Sequence, residues 1–282
     1  MNSSTITPEE YHAFREFLEN ASGIVLGDNK HYLVTSRLTR IMVEFSITSL
    51  AELMTRLKAD KALRQRIMDA MTTNETSWFR DNYPYEILKE KLLPELTDRK
   101  AKQLRIWSSA CSTGQEPYSI SMIISEYLMG RPGSLFADDV QIVGTDISRN
   151  VLQQAKTAIY DNIALNRGLS QERLKRFFKE EDSQWEVIGD IRKRISFREM
   201  NLKASYTALG KFDIIYCRNV LIYFSPELKR DIMFRMSQAL KPNGYLILGG
   251  SETISGYTDE FDLVRWRSGV VYQLKSSKEK YG

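Results

Sequence analysis

The sequence predicts a two-part molecule: an all-α segment over residues 1–72, then an α/β domain with a mostly parallel sheet over residues 103–282. Two observations carry this expectation. Up to Met71 the apolar residues recur at three- and four-residue spacing, the period of amphipathic helices. From about Gln103, short apolar runs of strand length alternate with helical stretches, the pattern of a parallel sheet covered on both faces. A chain of 282 residues is long enough for both units. Residues 73–102 are expected to link them.

Four short helices are expected first. Thr7-Pro8-Glu9-Glu10 is a helix start, with a Thr cap, Pro at the first helical position and Glu three residues after the cap. Tyr11, Phe14, Phe17 and Leu18 continue at helical spacing, and Gly23 ends the run. Val34, Leu38, Ile41, Met42 and Phe45 stripe a second helix, Leu50, Leu53, Met54 and Leu57 a third, and Leu63, Ile67, Ala70 and Met71 a fourth. In the second part, Leu104–Trp107 reads as a first strand, and Pro117 to Met129 as a helix apolar nearly all round and so buried. Val140–Gly144 is the next strand, with a helix after Ser148. Ser183 to Phe197, with Trp185, Val187, Ile188 and Ile195, reads as a small β insertion. Phe212–Cys217 is a buried strand, Pro226 to Leu240 a helix, and Lys241-Pro242-Asn243-Gly244 a turn into a strand at Tyr245–Leu248. Phe261–Trp266 and Gly269–Leu274 form a terminal antiparallel hairpin about Arg267-Ser268. A Rossmann-like sheet that ends in such a hairpin resembles the class I S-adenosylmethionine (SAM) methyltransferases.

Composition narrows the class further. With 42% hydrophobic and 27% charged residues the chain is globular rather than disordered. No apolar run approaches the ~20 residues of a membrane span, Met1-Asn2-Ser3-Ser4-Thr5 lacks a signal-peptide core, and two cysteines make no disulfide framework. A cytoplasmic protein is therefore expected. The net charge of +4 is too small to indicate nucleic acid. Its distribution is uneven. Residues 1–28 carry Arg15 against Glu9, Glu10, Glu16, Glu19 and Asp28, whereas residues 30–66 carry eight basic side chains against three acidic ones. That basic segment is either a solvated helix face or a surface for an acidic partner.

Ligands of doubly wound sheets bind beyond the carboxyl ends of the central strands. Three segments should meet there. Ser108-Ser109-Ala110-Cys111-Ser112-Thr113-Gly114-Gln115-Glu116 is a small-residue loop entering a helix, although it is not GxGxxG. A bare helix N-terminus would favour phosphate. Glu116 at this start instead suits a positively charged ligand, or serves only the helix dipole. Asp146, at the end of Gly144-Thr145-Asp146, can bind ribose hydroxyls or cap the next helix. Cys217-Arg218-Asn219-Val220-Leu221-Ile222-Tyr223-Phe224 brings polar groups to the switch point.

A fourth segment lies at the domain boundary. Thr73-Asn74-Glu75-Thr76-Ser77-Trp78-Phe79-Arg80 packs an amide, hydroxyls, two aromatics and a guanidinium where a plain spacer would do. This octet, the loop ending Gly114-Gln115-Glu116-Pro117-Tyr118-Ser119, Thr145-Asp146-Ile147-Ser148, Phe212-Asp213 through Phe224, Leu240-Lys241-Pro242-Asn243-Gly244 and Gly249-Gly250-Ser251-Glu252 together resemble the chemotaxis receptor methyltransferase family (CheR), in order along the whole chain. The resemblance implies a helical N-terminal domain, a SAM-binding domain with a β subdomain, and methylation of receptor glutamates. It also implies SAM contacts at Asn74, Thr76, Arg80, Glu116, Asp146, Asn201, Leu202, Arg218 and Asn219, with S-adenosyl-L-homocysteine as product and no metal. The N-terminal domain would then face an acidic receptor helix, with Arg37 and Arg40 contributing to docking.

The chemistry agrees with this. A γ-carboxylate, reference pKa about 4.3, is already ionised at neutral pH and needs no general base to attack a sulfonium methyl. His12 and His31 both lie in the helical segment, far from the expected site. Arg80 would clamp the incoming carboxylate or orient the cofactor's own. Tyr223 is either a core aromatic or lines the transfer channel as a donor, and Trp78 and Phe79 would exclude water. A nucleic-acid methyltransferase is disfavoured, because Tyr216-Cys217-Arg218 lacks the Pro-Cys pair of cytosine-C5 enzymes and no Pro-Pro motif is present. A SAM-sensing or receptor-docking module without turnover would be expected to lack Arg80 or Asp146.

Overall fold

The computed structural model describes residues 6–98, 103–131, 137–267 and 269–276. The helical part contains α1 (Pro8–Ser22), α2 (His31–Glu44), α3 (Leu50–Arg56) and α4 (Lys61–Met71). The cap read from the sequence is present: the Thr7 hydroxyl accepts from the Glu10 amide while the Glu10 carboxylate accepts from Thr7, and Gly23 closes the helix at φ 84°. Tyr11, Phe14, Leu18, Val34, Leu38, Leu53, Leu63 and Ile67 are buried together as this part's own core.

The stretch expected as a linker is largely helical. Residues 83–98 run through α5 (Tyr83–Ile87), a π-helical turn (Leu88–Leu92) and α6 (Leu93–Asp98). Their Tyr85, Leu88, Leu92, Leu93 and Leu96 are buried in the core of the α/β part. Burial of this much apolar surface makes the segment part of that core rather than a connector. Residues 99–102 of the expected linker, and Ser268 of the terminal turn, lie outside the described residues.

The α/β part continues with β1 (Leu104–Ser108), α7 (Gln115–Gly130), β2 (Val140–Asp146), α8 (Arg149–Thr157), β3 (Ile159–Tyr160), α9 (Asn162–Leu165), α10 (Gln171–Phe177), β4 (Phe178–Glu181), β5 (Gln184–Val187), α11 (Gly189–Arg192) and β6 (Ile195–Glu199). It ends with β7 (Phe212–Cys217), α12 (Pro226–Ala239), β8 (Leu240–Leu248), β9 (Phe261–Trp266) and β10 (Gly269–Leu274). Seven strands form one sheet in the order β6-β2-β1-β7-β8-β10-β9. The first five are parallel, and β10 runs antiparallel to both β8 and β9. One buried cluster lies against α7, and a second lies against α12.

Two expectations change. Ile195 and Phe197 belong to β6, an edge strand of the main sheet paired with Ile142 and Gly144, not to an insertion. The small sheet is β3-β5-β4, drawn from Ile159 to Val187. Its β3 has two residues, and β4 is mostly exposed Lys and Glu, so neither presents an apolar run. Lys241-Pro242-Asn243-Gly244 does not precede a strand but interrupts one: β8 begins at Leu240, and the extra residues form an irregularity with Asn243 at φ 57°.

Candidate active site

Strand order reverses between β1 and β7, and a cavity opens beyond their carboxyl ends, as open α/β sheets predict. Asn74, Thr76, Arg80, Glu116, Asp146, Asn201, Leu202, Arg218, Asn219 and Tyr223, the residues singled out from sequence, all line it. Ser22, Ile24 and Met71 of the helical part complete the wall.

A buried ion cluster organises one side. The Arg218 side chain, 2% exposed, gives Nη1 to Glu116 Oε2 at 3.0 Å and Nη2 to Asp81 Oδ2 at 2.7 Å and the Arg80 carbonyl at 2.8 Å. Burial opposes the guanidinium charge, but Glu116 foremost and also Asp81 hold its pKa above the ordinary value. Ser108 Oγ donates to the other Glu116 oxygen at 2.7 Å. Arg218 therefore acts mainly as a support that fixes Glu116 and the backbone under Arg80. Asp81 was not singled out from the sequence; its signal was its place directly after the octet.

Asp146 occupies the tip of β2. Its two oxygens accept from the amides of Ser112 (2.9 Å) and Ser148 (3.0 Å). Burial raises its pKa from the ordinary 3.8, with those amides pulling the other way. Ser148, not Asp146, caps α8 with its side chain. Ser112, at φ 49°, also sends its hydroxyl to the Asn74 carbonyl at 2.8 Å and so joins the first loop to the octet.

The end of the octet and the two residues after it are bent sharply, with Phe79, Asp81 and Asn82 at φ between 49° and 67°. Such conformations persist only where the surroundings enforce them. Trp78 and Phe79 supply that enforcement and do not line the cavity, contrary to the water-excluding role expected of them. The Trp78 ring is buried edge-on against Tyr160 and Phe178, and its amide donates to the Arg167 carbonyl at 2.9 Å. Phe79 is covered by the Arg173 guanidinium, 3.8 Å from the ring centroid. Asn201 and Leu202 face the cavity, but the Asn201 amide is engaged within the chain, donating to the Ala21 carbonyl at 2.7 Å. Tyr223 leaves its hydroxyl without a hydrogen-bond partner among the described residues, and the Val25 amide holds its carbonyl at 2.9 Å. Arg80 gives one donor to the Glu75 carbonyl at 3.1 Å.

Other candidates lie elsewhere. Cys111 and Cys217 are free and buried, and burial pushes both thiols far up, so Cys217 is unsuited to nucleophilic attack. His31 stacks on Tyr11 and His12 sits on the exposed face of α1. Arg37 donates to the carbonyls of Met71 (2.8 Å) and Thr72 (3.3 Å) and to the Thr73 hydroxyl (3.2 Å). It closes the C-terminus of α4 and enters the octet, a structural role that the sequence did not show. Arg40 is exposed. No group of three or more His, Cys, Asp or Glu among the described residues could hold a metal ion.

Two family models divide the chain. One, described as CheR methyltransferase, all-alpha domain, matches residues 9–72. The other, described as CheR methyltransferase, SAM binding domain, matches residues 74–270. The chain belongs to the CheR methyltransferase family. Its relatives include Chemotaxis protein methyltransferase Cher2 of Pseudomonas putida, 51% identical over 270 residues covering 94% of this chain and 98% of the relative. Chemotaxis protein methyltransferase 1 of Pseudomonas aeruginosa is 51% identical over 269 residues with the same coverage. The chemotaxis protein methyltransferase of Vibrio parahaemolyticus is 48% identical over 278 residues, covering 98% of this chain and all of the relative. This CheR-family chain is thus a chemotaxis methyltransferase with a SAM-binding domain, and no helix among its described residues is long and apolar enough to cross a membrane. The charge of the cavity is compatible with that cofactor: the Glu116 and Asp146 carboxylates line it, which favours a cationic ligand over a phosphate.

Proposed function

We propose that the chain transfers a methyl group from SAM to γ-carboxylates of glutamates in the cytoplasmic region of chemoreceptors, giving glutamyl methyl esters and S-adenosylhomocysteine. The observation that carries the reading is the chemical character of the cavity wall. It offers the acids Glu116 and Asp146, the arginines Arg80 and Arg218 and the Tyr223 hydroxyl, with neither histidine nor cysteine thiol among the lining residues. SAM supplies an electrophilic methyl on a sulfonium. The substrate carboxylate is already ionised, so the remaining task is to hold two oppositely charged reactants in line and away from water. Asp146 takes the ribose hydroxyls, and Glu116, fixed by Arg218 and Ser108, faces the cationic end of the cofactor. Asn74, Thr76, Asn201, Leu202 and Asn219 line its remaining length. Arg80 retains donors beyond its bond to Glu75, enough to grip a carboxylate, and the free Tyr223 hydroxyl adds a further donor to the cavity wall.

Membranes bearing chemoreceptors, given SAM with a tritiated methyl, should acquire base-labile label. Arg80→Ala should lower that transfer about 100-fold. Tight SAM binding with no label on any receptor would instead favour a sensing module without turnover.

We assign docking of the acidic receptor helices to Arg40 and its basic neighbours rather than to Arg37. Arg40→Glu is expected to raise the Michaelis constant for receptor and leave SAM affinity alone. Arg37→Glu is expected to lower stability by about 1–2 kcal/mol, since it removes charge-assisted bonds that are only half-buried. Urea melts of the two variants check the split; equal stability losses would refute it.

A further inference from the structure

Glu252 lies outside the cavity wall, yet its carboxylate accepts four backbone amides. Oε2 takes Asn219 N at 2.7 Å and Gly249 N at 2.8 Å, and Oε1 takes Leu221 N at 2.8 Å and Val220 N at 3.0 Å. Three consecutive amides after β7 are thus drawn to one side chain at the tip of β8. Asn219 reaches this arrangement at φ 56°, a conformation costly without such support. Gly249 makes room for it: a Cβ there would lie 2.7 Å from Glu252 Oε2 and 2.9 Å from Asn219 N. The clamped loop carries Asn219 and Tyr223, two side chains that face the cavity, and continues to the Tyr223 carbonyl held by Val25.

We infer that Glu252 is a positioning residue for methyl transfer, acting through the backbone of the Asn219–Tyr223 loop to aim Tyr223 at the reacting centre. The inference rests on the transfer reaction proposed above. A carboxylate is suited to this role because it has about four lone-pair sites and no donor of its own. An amide in its place would turn N–H groups toward N–H groups, and the loop would have to move.

Glu252→Gln should therefore lower kcat for receptor methylation at least about tenfold, since small displacements of positioned groups carry rate costs of that order or larger. SAM affinity by calorimetry should change less than about threefold, because most of the cavity wall is untouched. Glu252→Asp keeps both acceptor oxygens and should recover part of the loss. In a Tyr223→Phe background the effect of Glu252→Gln should shrink, as it must if one residue acts through the other. A merely structural role would give additive losses, and that outcome, or an unchanged kcat, overturns the inference. Amide hydrogen exchange at residues 219–221 and 249 gives a readout that needs no activity. Faster exchange in Glu252→Gln is expected, and unchanged protection would refute the clamp itself. A wild-type chain that transfers no label would instead overturn the functional reading, so the two failures are told apart.

Discussion

Arg218→Met is expected to cost about 3 kcal/mol of folding stability and most of the SAM affinity. The guanidinium is 2% exposed and satisfies Glu116, which is 12% exposed, together with Asp81 and the Arg80 carbonyl. Removing one partner of a buried pair leaves the other's charge uncompensated, a loss of about 3–5 kcal/mol in comparable sites. Asp81 is 39% exposed and can recover solvation, which places the figure at the lower end. In a chain of this size about 3 kcal/mol corresponds to roughly 6–12 °C in melting temperature. Lysine should not rescue, because a single ammonium cannot reproduce a planar fork that spans three acceptors. Adding Glu116→Gln to Arg218→Met should recover part of the stability, though not SAM binding. Thermal melts and calorimetry of the single and double variants test this; a drop below about 1 kcal/mol in the single variant would show that the cluster is solvated and of little weight.

Gly168→Ala is expected to lower methyl transfer about 100-fold, at a residue that does not line the cavity. Gly168 has φ 98°, and a Cβ there would lie 2.1 Å from the Trp78 carbonyl oxygen. The obstruction is backbone, so no rotamer change relieves it, and either the loop or the octet must shift. The octet cannot yield cheaply, because the Trp78 amide is bonded to Arg167 and its ring is wedged between Tyr160 and Phe178. Displacing it carries Asn74, Thr76 and Arg80 out of register with Asp146 and Glu116. Stability should fall by about 2–3 kcal/mol from strain and overpacking together. Unchanged kcat/KM with an unchanged melt would mean the β-subdomain loop is not mechanically joined to the site.

Much of the fold was legible because its signals are local. Caps, helical periods and β-branched runs act between residues a few positions apart, so α1 to α4, β1, α7, β7 and the terminal hairpin could all be read directly. The errors fell where packing outweighed pattern. Residues 83–98 read as a linker although Tyr85, Leu88, Leu92 and Leu96 recur at helical spacing, because that spacing does not show which core they join. β3 and β4 escaped notice since one is two residues long and the other polar, and pairing alone makes them strands. The structural role of Arg37 was also hidden, because its charge is visible in sequence and its acceptors, the last carbonyls of α4, are not.

Taken alone, the sequence determined which residue types must meet beyond the sheet: an acid at a helix start, an acid at a strand tip, a polar switch loop and an octet too rich to be a spacer. Only the tertiary structure decided what each does within the wall. It made Arg218 the support of Glu116 and of the backbone under Arg80, turned Trp78 and Phe79 inward as anchors, and brought Glu252 to four amides. The physical reason is range. Propensity and periodicity are fixed by neighbours in the chain, whereas a hydrogen bond across 33 residues, as from Asn219 to Glu252, exists only once the strands that carry its ends lie side by side.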